Sequence, residues 1–519
     1  MLLTTAIDYT NGSPHIGHAY EKILTDVLAR YERLCGRPVY FLTGVDQHGQ
    51  KVEQTAEKEG LSPEQYVALV TARFRALWEK IGVDYDGWAA TTDVRHKNCV
   101  QDILSDLKEK GELYKKTYEG FYSVRQEQFL TDRDRDERGD FGPEWGEVVE
   151  IREENWYFRL SAHTAWLQGF LEKNDVILPQ FRKAELLNAL QRNAGTDLCI
   201  SRPKERLRWG IEFPFDSDYV TYVWFDALIN YISFAGYGGK NADLPDFETT
   251  WRDTVHVIGK DILVPAHGIY WFCMLHAMGF ADQDMPKLLV HGWWNIRGEK
   301  MSKTLGNVVD PDQLADAFGV DALRYYLVRD ISTGKDSDFD VERLVMLFNT
   351  ELANELGNLC NRALNMSQRF TGGVLHCHFP LEDVDLALQQ SLADSLAQYS
   401  EAMDHFDVAK ALEALNRHVV HCNVYTDRMK PWEMNKNPEN ANRVATVLYH
   451  LAESVAHCAV MLSPVLPDAS AKLANQLNLP DLLSRTLDQL SWGLLENGHI
   501  IDKPQPVFPR IVVAAATES

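Results

Sequence analysis

Apolar and polar positions along the first fifty residues predict a strand, a helix and a second strand. Residues 2–7 (LLTTAI) form a short apolar run, and residues 11–14 (NGSP) carry turn chemistry. Apolar residues then recur at helical spacing from Ile16 to Leu34, and a second apolar run, VYFLTG, covers residues 39–44. This order predicts a parallel sheet with a right-handed crossover, whose ligands bind beyond the carboxyl ends of the strands.

Beyond Asp340 the pattern is helical. Periodic apolar residues run through residues 347–366, 393–427 and 443–462, which predicts a bundle of about five antiparallel helices. With 519 residues and 45% hydrophobic content, the chain is expected to be globular and to divide into two to four domains. No run of about 18 apolar residues and no signal-peptide pattern occurs, so we expect a cytoplasmic location without a membrane span.

Charge and cysteine content narrow the function classes. The formal charge of −23 argues against a general nucleic-acid binder, although screening over about 8 Å lets a local basic patch act within an acidic protein. The eight cysteines form no C-x-x-C pair, which favours reduced thiols over a disulfide framework or a zinc knuckle. The net charge therefore does not exclude an RNA partner.

Two histidines flank a glycine where the first helix is predicted to begin. A helix N-terminus attracts phosphate, and the imidazoles of His15 and His18 add donors that respond to charge developing there. Gly17 lets a nucleotide approach the backbone. The alternative is that both histidines are surface residues or cap the helix. A second polar loop, RGEKMSKTLGN at 297–307, holds two lysines and on its own reads as a surface loop.

The pair of segments His-Ile-Gly-His and Lys-Met-Ser-Lys-Thr, in this order, resembles the two signatures of class I aminoacyl-tRNA synthetases. The chain through residue 331 is similar to the methionyl-tRNA synthetase family, and the helical remainder is similar to that family's anticodon-binding domain. The segments that carry the similarity are TTAIDYTNGSPHIGHAY, FLTGVDQHGQKV, ISRPKER, YVTYVWFDALINYIS, VIGKDIL, KMSKTLGNVVDP and DALRYYLVRDI.

The resemblance implies an α/β fold in which a Rossmann-like parallel-sheet catalytic domain is split by a connective insertion and followed by an α-helical bundle domain. The expected boundaries are 1–113 and 206–285 for the two catalytic halves, 114–205 for an insertion without a zinc knuckle, 286–340 for the KMSKS-loop and stem-contact region, 341–500 for the anticodon-binding domain and 501–519 for a tail.

The resemblance implies activation of L-methionine by ATP to methionyl-adenylate and pyrophosphate, followed by transfer to tRNA(Met). The attacking carboxylate is already ionised at neutral pH, so catalysis rests on alignment and on cations and donors around the phosphates, together with Mg²⁺. The catalytic residues carried over are His15, His18, Lys300 and Lys303, and ATP binding adds Gly17, Gly259, Asp261 and Ser302. For Asp261, a helix N-cap ahead of ILVPA is the alternative.

The methionine pocket is carried over in the same way. Asp46 matches the residue that pairs with the substrate ammonium, and a thioether calls for an apolar, aromatic-lined cavity. The matching positions are Ala6, Ile7, Tyr9, Trp224, Ala227, Leu228, Tyr231, Ile262 and His267. Core packing explains the aliphatic members equally well. The chain departs from the family at VPAH, which has one residue more before His267, and at Asp8, whose charge alters affinity or faces solvent.

Two further regions complete the interpretation. Residues 122–155 contain no cysteine or histidine, so no structural zinc is predicted, and the charge run from Asp132 to Asp140 is expected to be a solvated hairpin or loop. The resemblance implies that Asn358, Arg362 and Trp432 read the anticodon by base-edge contacts and stacking. A buried tryptophan and a surface Asn/Arg pair are the alternatives. The chain ends soon after residue 510 without an appended module, so a monomer is expected.

Three rival functions disagree with the sequence, either because it lacks a feature that they require or because it keeps one that they do not need. A synthetase for isoleucine, leucine or valine would carry an editing domain in the insertion, and one for cysteine would show thiolate zinc ligands. A non-catalytic RNA-binding paralogue would lose the phosphate-binding residues, whereas the histidines and lysines are intact. A small nucleotidyltransferase would share the His-x-Gly-His loop but would have no use for the helical bundle.

Overall fold

The computed structural model describes residues 1–124, 128–130, 134–136, 138–193, 195–239, 242–296, 298–300 and 309–512. Its strands are β1 Leu2–Thr5, β2 Asp8–Tyr9, β3 Tyr40–Asp46, β4 Gly87–Ala90, β5 Leu113–Ser123, β6 Gln128–Leu130, β7 Val148–Phe158, β8 Ile177–Leu178, β9 Leu198–Cys199, β10 Ser201–Pro203, β11 Glu212–Phe213, β12 Asp216–Thr221, β13 Val255–Gly259, β14 Lys287–His291, β15 Trp294–Ile296, β16 Glu299–Lys300, β17 Ser337–Asp338, β18 Val374–Leu375 and β19 His499–Ile500.

The α-helices are α1 Ile16–Leu34, α2 Gln50–Lys58, α3 Pro63–Lys80, α4 Val94–Glu109, α5 Thr164–Lys173, α6 Phe181–Asn193, α7 Val223–Ser233, α8 Phe247–Trp251, α9 Phe272–Met278, α10 Pro311–Phe318, α11 Val320–Arg329, α12 Val341–Leu347, α13 Gly357–Thr371, α14 Asp383–Asp404, α15 Val408–Met429, α16 Pro431–Met434, α17 Ala441–Leu462 and α18 Pro467–Gln476. Two further segments, Leu263–Trp271 and Phe348–Leu356, are π-helical.

The chain forms two compact units. The first comprises Met1–Ser13, Leu42–Arg75 and Tyr85–Val290, and the second comprises Pro14–Phe41, Ala76–Asp84 and His291–Ser519. Each unit therefore collects segments that are distant in the sequence.

The first unit contains a parallel sheet. In the described residues the strand order is β2-β3-β1-β13-β14-β8, with β4 also paired to β3. Leu3 lies opposite Val255, and β3 runs parallel to both β2 and β4. Burial on both faces explains why its strands read as apolar runs rather than alternating patterns. The prediction of a parallel sheet is confirmed.

The strand bounds differ from prediction at several ends. The predicted strand 2–7 ends at Thr5, because Asp8 next pairs with Val45 of β3 rather than continuing beside β13. The predicted run 39–44 extends to Asp46. Strand β14 ends at His291, and a Cβ on the following residue, Gly292, would lie 2.0 Å from the Lys335 carbonyl oxygen.

A long antiparallel hairpin also belongs to the first unit. Strands β5 and β7 pair from Leu113 opposite Phe158 to Ser123 opposite Val148. Part of the predicted charged loop lies outside the described residues. Within the described part, Asp136 accepts from the backbone N–H groups of Arg138 and Asp140, and these side chains are exposed or half-buried. The described residues of the charge run thus form a solvated turn.

The second unit contains the first helix and the C-terminal helices. Helix α14 packs along α15, and α17 packs against α13, α15 and α18. The predicted helical bundle is confirmed, but residues 348–356 take π rather than α geometry. Arg324 on α11 is 1% exposed, donates to Asp26 on α1 at 2.6 Å and to the Val465 carbonyl at 2.7 Å. The buried cation is thereby paired and hydrogen-bonded, as burial of a charge requires.

Within the part of the chain that the structure describes, one helix is long and apolar enough to cross a membrane by length and composition. Residues Pro438–Leu462 have a mean hydropathy of 1.3 over the apolar window, and that window is fully buried inside the protein. A helix that is hydrophobic on all sides and covered by other helices is a core helix.

Candidate active site

A cavity opens at the carboxyl ends of three neighbouring strands of the first unit. Ala6 and Ile7 follow β1, Asp46 ends β3, and Ile262 comes soon after β13. Helix α7 supplies another wall. The cavity holds about 260 Å³ and is lined by Ala6, Ile7, Tyr9, Asp46, Lys51, Val223, Trp224, Ala227, Leu228, Asn230, Tyr231, Ile262 and His267. All the residues predicted from the resemblance to bind methionine therefore line one cavity.

The aromatic wall of the cavity is held by two histidines, His256 and His267. The Tyr231 ring stacks on His256 with centroids 4.0 Å apart, and its hydroxyl lies 2.7 Å from His267 Nε2. Burial lowers the pKa of His256 well below its usual value, and nearby His267 adds to this effect. Trp271 donates to His256 Nε2 at 3.1 Å, so His256 carries its proton on Nδ1. The ring of Tyr231 is thus fixed at the cavity wall.

His267 lies in a π-helical part of the cavity wall. The segment Leu263–Trp271 is π-helical with a kink at Val264, and the His267 backbone N–H donates to the Ile262 carbonyl at 3.2 Å, which is the hydrogen bond of a π-turn. The extra residue before His267 stays a prediction. His267 Nδ1 donates to the Ile262 carbonyl at 2.9 Å, which leaves Nε2 to accept from Tyr231.

The acidic corner of the cavity is Asp46, which is 7% exposed. The hydroxyl of Thr91 and the backbone N–H of His48 each lie 3.4 Å from its Oδ1. Gly49 follows with φ of 115°, and a Cβ there would lie 2.6 Å from the Tyr9 hydroxyl. Glycine at this position therefore allows both the turn into α2 and the packing of Tyr9.

Three cavity residues were missed by sequence reasoning: Lys51, Val223 and Asn230. Asn230 donates to the Ala227 carbonyl at 2.6 Å, and its Oδ1 is buried with no hydrogen-bond partner in the described part of the chain. Helical spacing was the available signal, since Val223 and Asn230 share α7 with the predicted residues Trp224 and Tyr231.

The candidate ribose residues and Asp8 also lie in the first unit. Gly259 is buried at the end of β13, and Asp261 is exposed just after it. The π-helix begins at Leu263 with Ile262 as its N-cap residue, so Asp261 does not stand at the N-cap position. Asp8 is 4% exposed, so the alternative in which its charge faces solvent is wrong.

In the second unit, His15 and His18 form the start of α1. His15 is the N-cap, and its Nδ1 accepts from the Gly17 backbone N–H at 3.1 Å. His18 Nδ1 accepts from the His15 backbone N–H at 3.1 Å, and the two rings stack 3.8 Å apart. Because each Nδ1 accepts, each neutral imidazole carries its proton on Nε2. The capping alternative and a donor role are therefore compatible, because they use different nitrogens.

The lysine loop begins and ends in the second unit. Lys300 lies in β16 opposite Asn295 of β15, and Ser302 and Lys303 fall outside the described residues. Val309, which follows the loop in the sequence, accepts from the Ile16 backbone N–H of α1 at 3.1 Å.

A third group of predicted residues lies on the helical bundle. Arg362 on α13 lies with its guanidinium carbon 5.1 Å from the Trp432 ring centroid and donates to Asp427 at 2.6 Å. Lys430 has a φ of 45°, and Pro431 begins α16 directly after it. Trp432 is 36% exposed and Asn358 is exposed, so the buried-tryptophan alternative is wrong.

Among the residues that the structure describes, no group of three or more histidine, cysteine or acidic side chains is arranged to hold a metal ion. The absence of structural zinc stays a prediction.

Comparisons with known proteins agree with this geometry. The family model described as tRNA synthetases class I (M) matches residues 1–137 and 145–364, and the model described as the anticodon binding domain of methionyl tRNA ligase matches residues 380–518.

Curated relatives and solved structures extend the similarity to nearly the whole chain. The methionine–tRNA ligase of Fusobacterium nucleatum is 36% identical over 517 residues, covering 98% of this chain and 80% of that protein. The Deinococcus radiodurans enzyme of the same name is 39% identical, covering 98% and 74%. The crystal structure of Mycobacterium tuberculosis methionyl-tRNA synthetase bound by methionyl-adenylate matches with a TM-score of 0.90 at 34% identity, covering 98% of this chain and 99% of that one. This chain belongs to the methionyl-tRNA synthetase family of class I aminoacyl-tRNA synthetases.

Proposed function

We propose that this chain activates L-methionine with ATP and transfers the methionyl group to tRNA(Met), with release of pyrophosphate and then AMP. One observation carries the proposal: the residues predicted to bind methionine line a single cavity of about 260 Å³. That cavity joins an apolar, aromatic wall to a single carboxylate, Asp46. A thioether side chain and an ammonium group need these two surfaces.

The proposed roles within the cavity follow from chemistry. Asp46 accepts from the methionine ammonium, while Trp224, Tyr231 and His267 face the side chain. Because His267 and Tyr231 bond each other, this part of the wall requires no donor or acceptor from the ligand. An apolar side chain can then pack against Tyr231 and His267 without leaving the polar groups of these two residues unpaired.

The proposed phosphate-binding residues act on the reacting bond. The methionine carboxylate forms a bond to the α-phosphorus as the bond from that phosphorus to the bridging oxygen of pyrophosphate breaks. His15 and His18 donate from Nε2 to the phosphates, and Lys300 and Lys303 neutralise the departing pyrophosphate. Gly17 and Ser302 complete the phosphate site, and Gly259 and Asp261 hold the ribose. ATP enters as its Mg²⁺ complex.

The proposal includes a cytoplasmic location, a monomeric state and the domain boundaries that the resemblance implies. Light scattering on the purified protein tests the oligomeric state, and a mass of two chains would contradict a monomer.

The first test is ATP–pyrophosphate exchange with purified protein and Mg²⁺. Methionine should support exchange, whereas leucine, isoleucine, valine and cysteine should not, because the cavity pairs one carboxylate with a wall suited to an unbranched thioether. Parallel reactions with a zinc chelator should give the same rate. Exchange driven by another amino acid would make the pocket assignment wrong, and loss of exchange with the chelator would contradict a zinc-free insertion.

We further propose that the surface formed by Asn358, Arg362 and Trp432 binds the CAU anticodon. The exposed Trp432 ring offers a stacking platform, and Asn358 and Arg362 offer hydrogen bonds to base edges. The Arg362 guanidinium near that ring supports it by a cation–π contact.

Replacing Trp432 with alanine should lower kcat/KM for tRNA(Met) in aminoacylation by about 10–100-fold, since stacking of one base contributes about 1–3 kcal/mol. Methionine-dependent exchange in the absence of tRNA should be unchanged. Phe379→Ala, which removes an aromatic ring that is 79% exposed, is the matched control and should leave aminoacylation unchanged. Normal aminoacylation by Trp432→Ala would remove Trp432 from the anticodon site.

A further inference from the structure

A buried cluster joins a carboxylate on α7, the helix that forms one cavity wall, to two histidines from other elements. Asp226 on α7 is fully buried, and its Oδ2 lies 2.6 Å from His48 Nδ1 while its Oδ1 lies 2.9 Å from His96 Nε2. His96 is also fully buried, and His48 is 2% exposed. None of these side chains lines the cavity, and the proposed reaction uses none of them.

The proton positions in this cluster follow from its hydrogen bonds. Burial raises the pKa of Asp226, but the two imidazoles outweigh burial and lower it to about 2. The carboxylate is therefore ionised and accepts from both rings, so His48 carries a proton on Nδ1 and His96 on Nε2. His96 Nδ1 lies 2.8 Å from the hydroxyl of Ser233, also on α7. Both oxygens of Asp226 are thus occupied.

The cluster joins two walls of the cavity that are far apart in the sequence. His48 stands two residues after Asp46 in the loop between β3 and α2, and Asp226 stands on α7 between Trp224 and Ala227. Hence the His48–Asp226 bond ties the loop that carries the acidic corner to the helix that carries the apolar wall.

The His48 backbone also takes part in the acidic corner. Its N–H lies 3.4 Å from Asp46 Oδ1. The rest of the loop is held by Thr91, whose hydroxyl accepts from the Gln47 backbone N–H at 2.9 Å, and by Trp209, which donates to the Gln47 carbonyl. The side chain of His48 connects this loop to α7 through Asp226.

We propose that His48 is a positioning residue for the substrate ammonium. Its side chain, anchored by Asp226, holds the Asp46 carboxylate at the cavity, where that carboxylate binds the ammonium. This inference rests on the proposed activation of methionine. It predicts that loss of the His48–Asp226 bond weakens binding of the ammonium group and leaves ATP binding unchanged, because the bond acts through Asp46.

The test compares His48→Ala with His48→Asn in ATP–pyrophosphate exchange. Alanine removes the donor, whereas the Asn amide places an N–H near the position of imidazole Nδ1. We expect His48→Ala to raise the KM for methionine about 10–50-fold with the KM for ATP changed less than twofold, because a small misplacement of a binding group is costly. His48→Asn should bring the methionine KM back to within about threefold of the unmodified protein.

Two measurements separate positioning from a general structural role. The inhibition constant of 4-methylthiobutanoate, which is methionine without its ammonium, should be the same for both variants and the unmodified protein. Asp46→Ala combined with His48→Ala should raise the methionine KM no further than Asp46→Ala alone. His163→Ala, which removes another histidine–carboxylate bond of the same unit, part-buried and 3.0 Å long to Glu112, is the matched control and should leave the methionine KM unchanged.

Each outcome decides the inference. Equal weakening of methionine and 4-methylthiobutanoate, or no recovery with asparagine, would overturn it. If His48→Ala does not fold, Asp226→Asn, which keeps the side-chain volume, should still raise the methionine KM at least fivefold, and an unchanged KM would overturn it equally. Absence of methionine-dependent exchange in the unmodified protein would instead show that the proposed function is wrong, and the inference would fall with it.

Discussion

Replacing His18 with alanine is expected to slow methionine-dependent ATP–pyrophosphate exchange by about 10²–10³-fold, or about 2.7–4 kcal/mol in the activation free energy. The Nδ1 atom of His18 is engaged with the His15 backbone, so its proton lies on Nε2, where it can donate to a phosphate. Such a donor gains strength as negative charge develops in the transition state. The KM for methionine should therefore change little while kcat falls.

A cap-preserving variant separates this effect from helix stability. His18 stands at the third helical position, where glutamine also completes a capping box. His18→Gln should therefore keep the melting temperature of the unmodified protein, but its rate should stay well below normal because an amide N–H is a weaker hydrogen-bond donor than an imidazole N–H. A loss explained wholly by weaker binding of ATP in the ground state would contradict the transition-state role.

Replacing Asp46 with alanine is expected to raise the KM for methionine by about 10²–10³-fold. Removing one partner of a buried, hydrogen-bonded charge pair costs about 2–5 kcal/mol, much of it from leaving the other charge unpaired. Asp46 is the acidic side chain that lines the cavity and is 7% exposed, so water would replace it poorly. Steady-state exchange at saturating ATP measures this effect.

Asp46→Asn is the matched variant, because it keeps the size of the side chain and an acceptor for Thr91 and for the His48 N–H. It should lose most of the same affinity, since the ammonium requires the charge and not the shape. Inhibition by 4-methylthiobutanoate should be similar in both variants and in the unmodified protein. An unchanged methionine KM in Asp46→Ala would remove this residue from the ammonium site.

Local patterns predicted the elements on which the site depends. Helix α1 has the predicted bounds Ile16–Leu34, because apolar spacing, turn residues before it and Gly36 after it all act over a few residues. The prediction of strand 2–7 was two residues too long, because apolar character does not reveal which neighbour a residue pairs with.

Some residues of the site were predicted and others were missed, because the sequence pattern does not reveal which distant residues meet. The predicted methionine residues were found through their resemblance to a family, and the fold brings them to one cavity. Val223 and Asn230 were missed although they lie on the same helix as Trp224 and Tyr231. The partnership of His48 with Asp226 was also missed, because 178 residues separate them and neither has a local pattern that names the other.

The sequence alone therefore determined the order of elements, the parallel-sheet class, the helical bundle and the chemical types available at each motif. These follow from interactions between residues close in the chain, which spacing records directly. The tertiary structure alone decided which side chains meet: the cavity at the ends of β1, β3 and β13, the proton positions on His15 and His18, and the buried bond behind Asp46. Such contacts depend on how distant segments pack, and packing is a property of the whole fold.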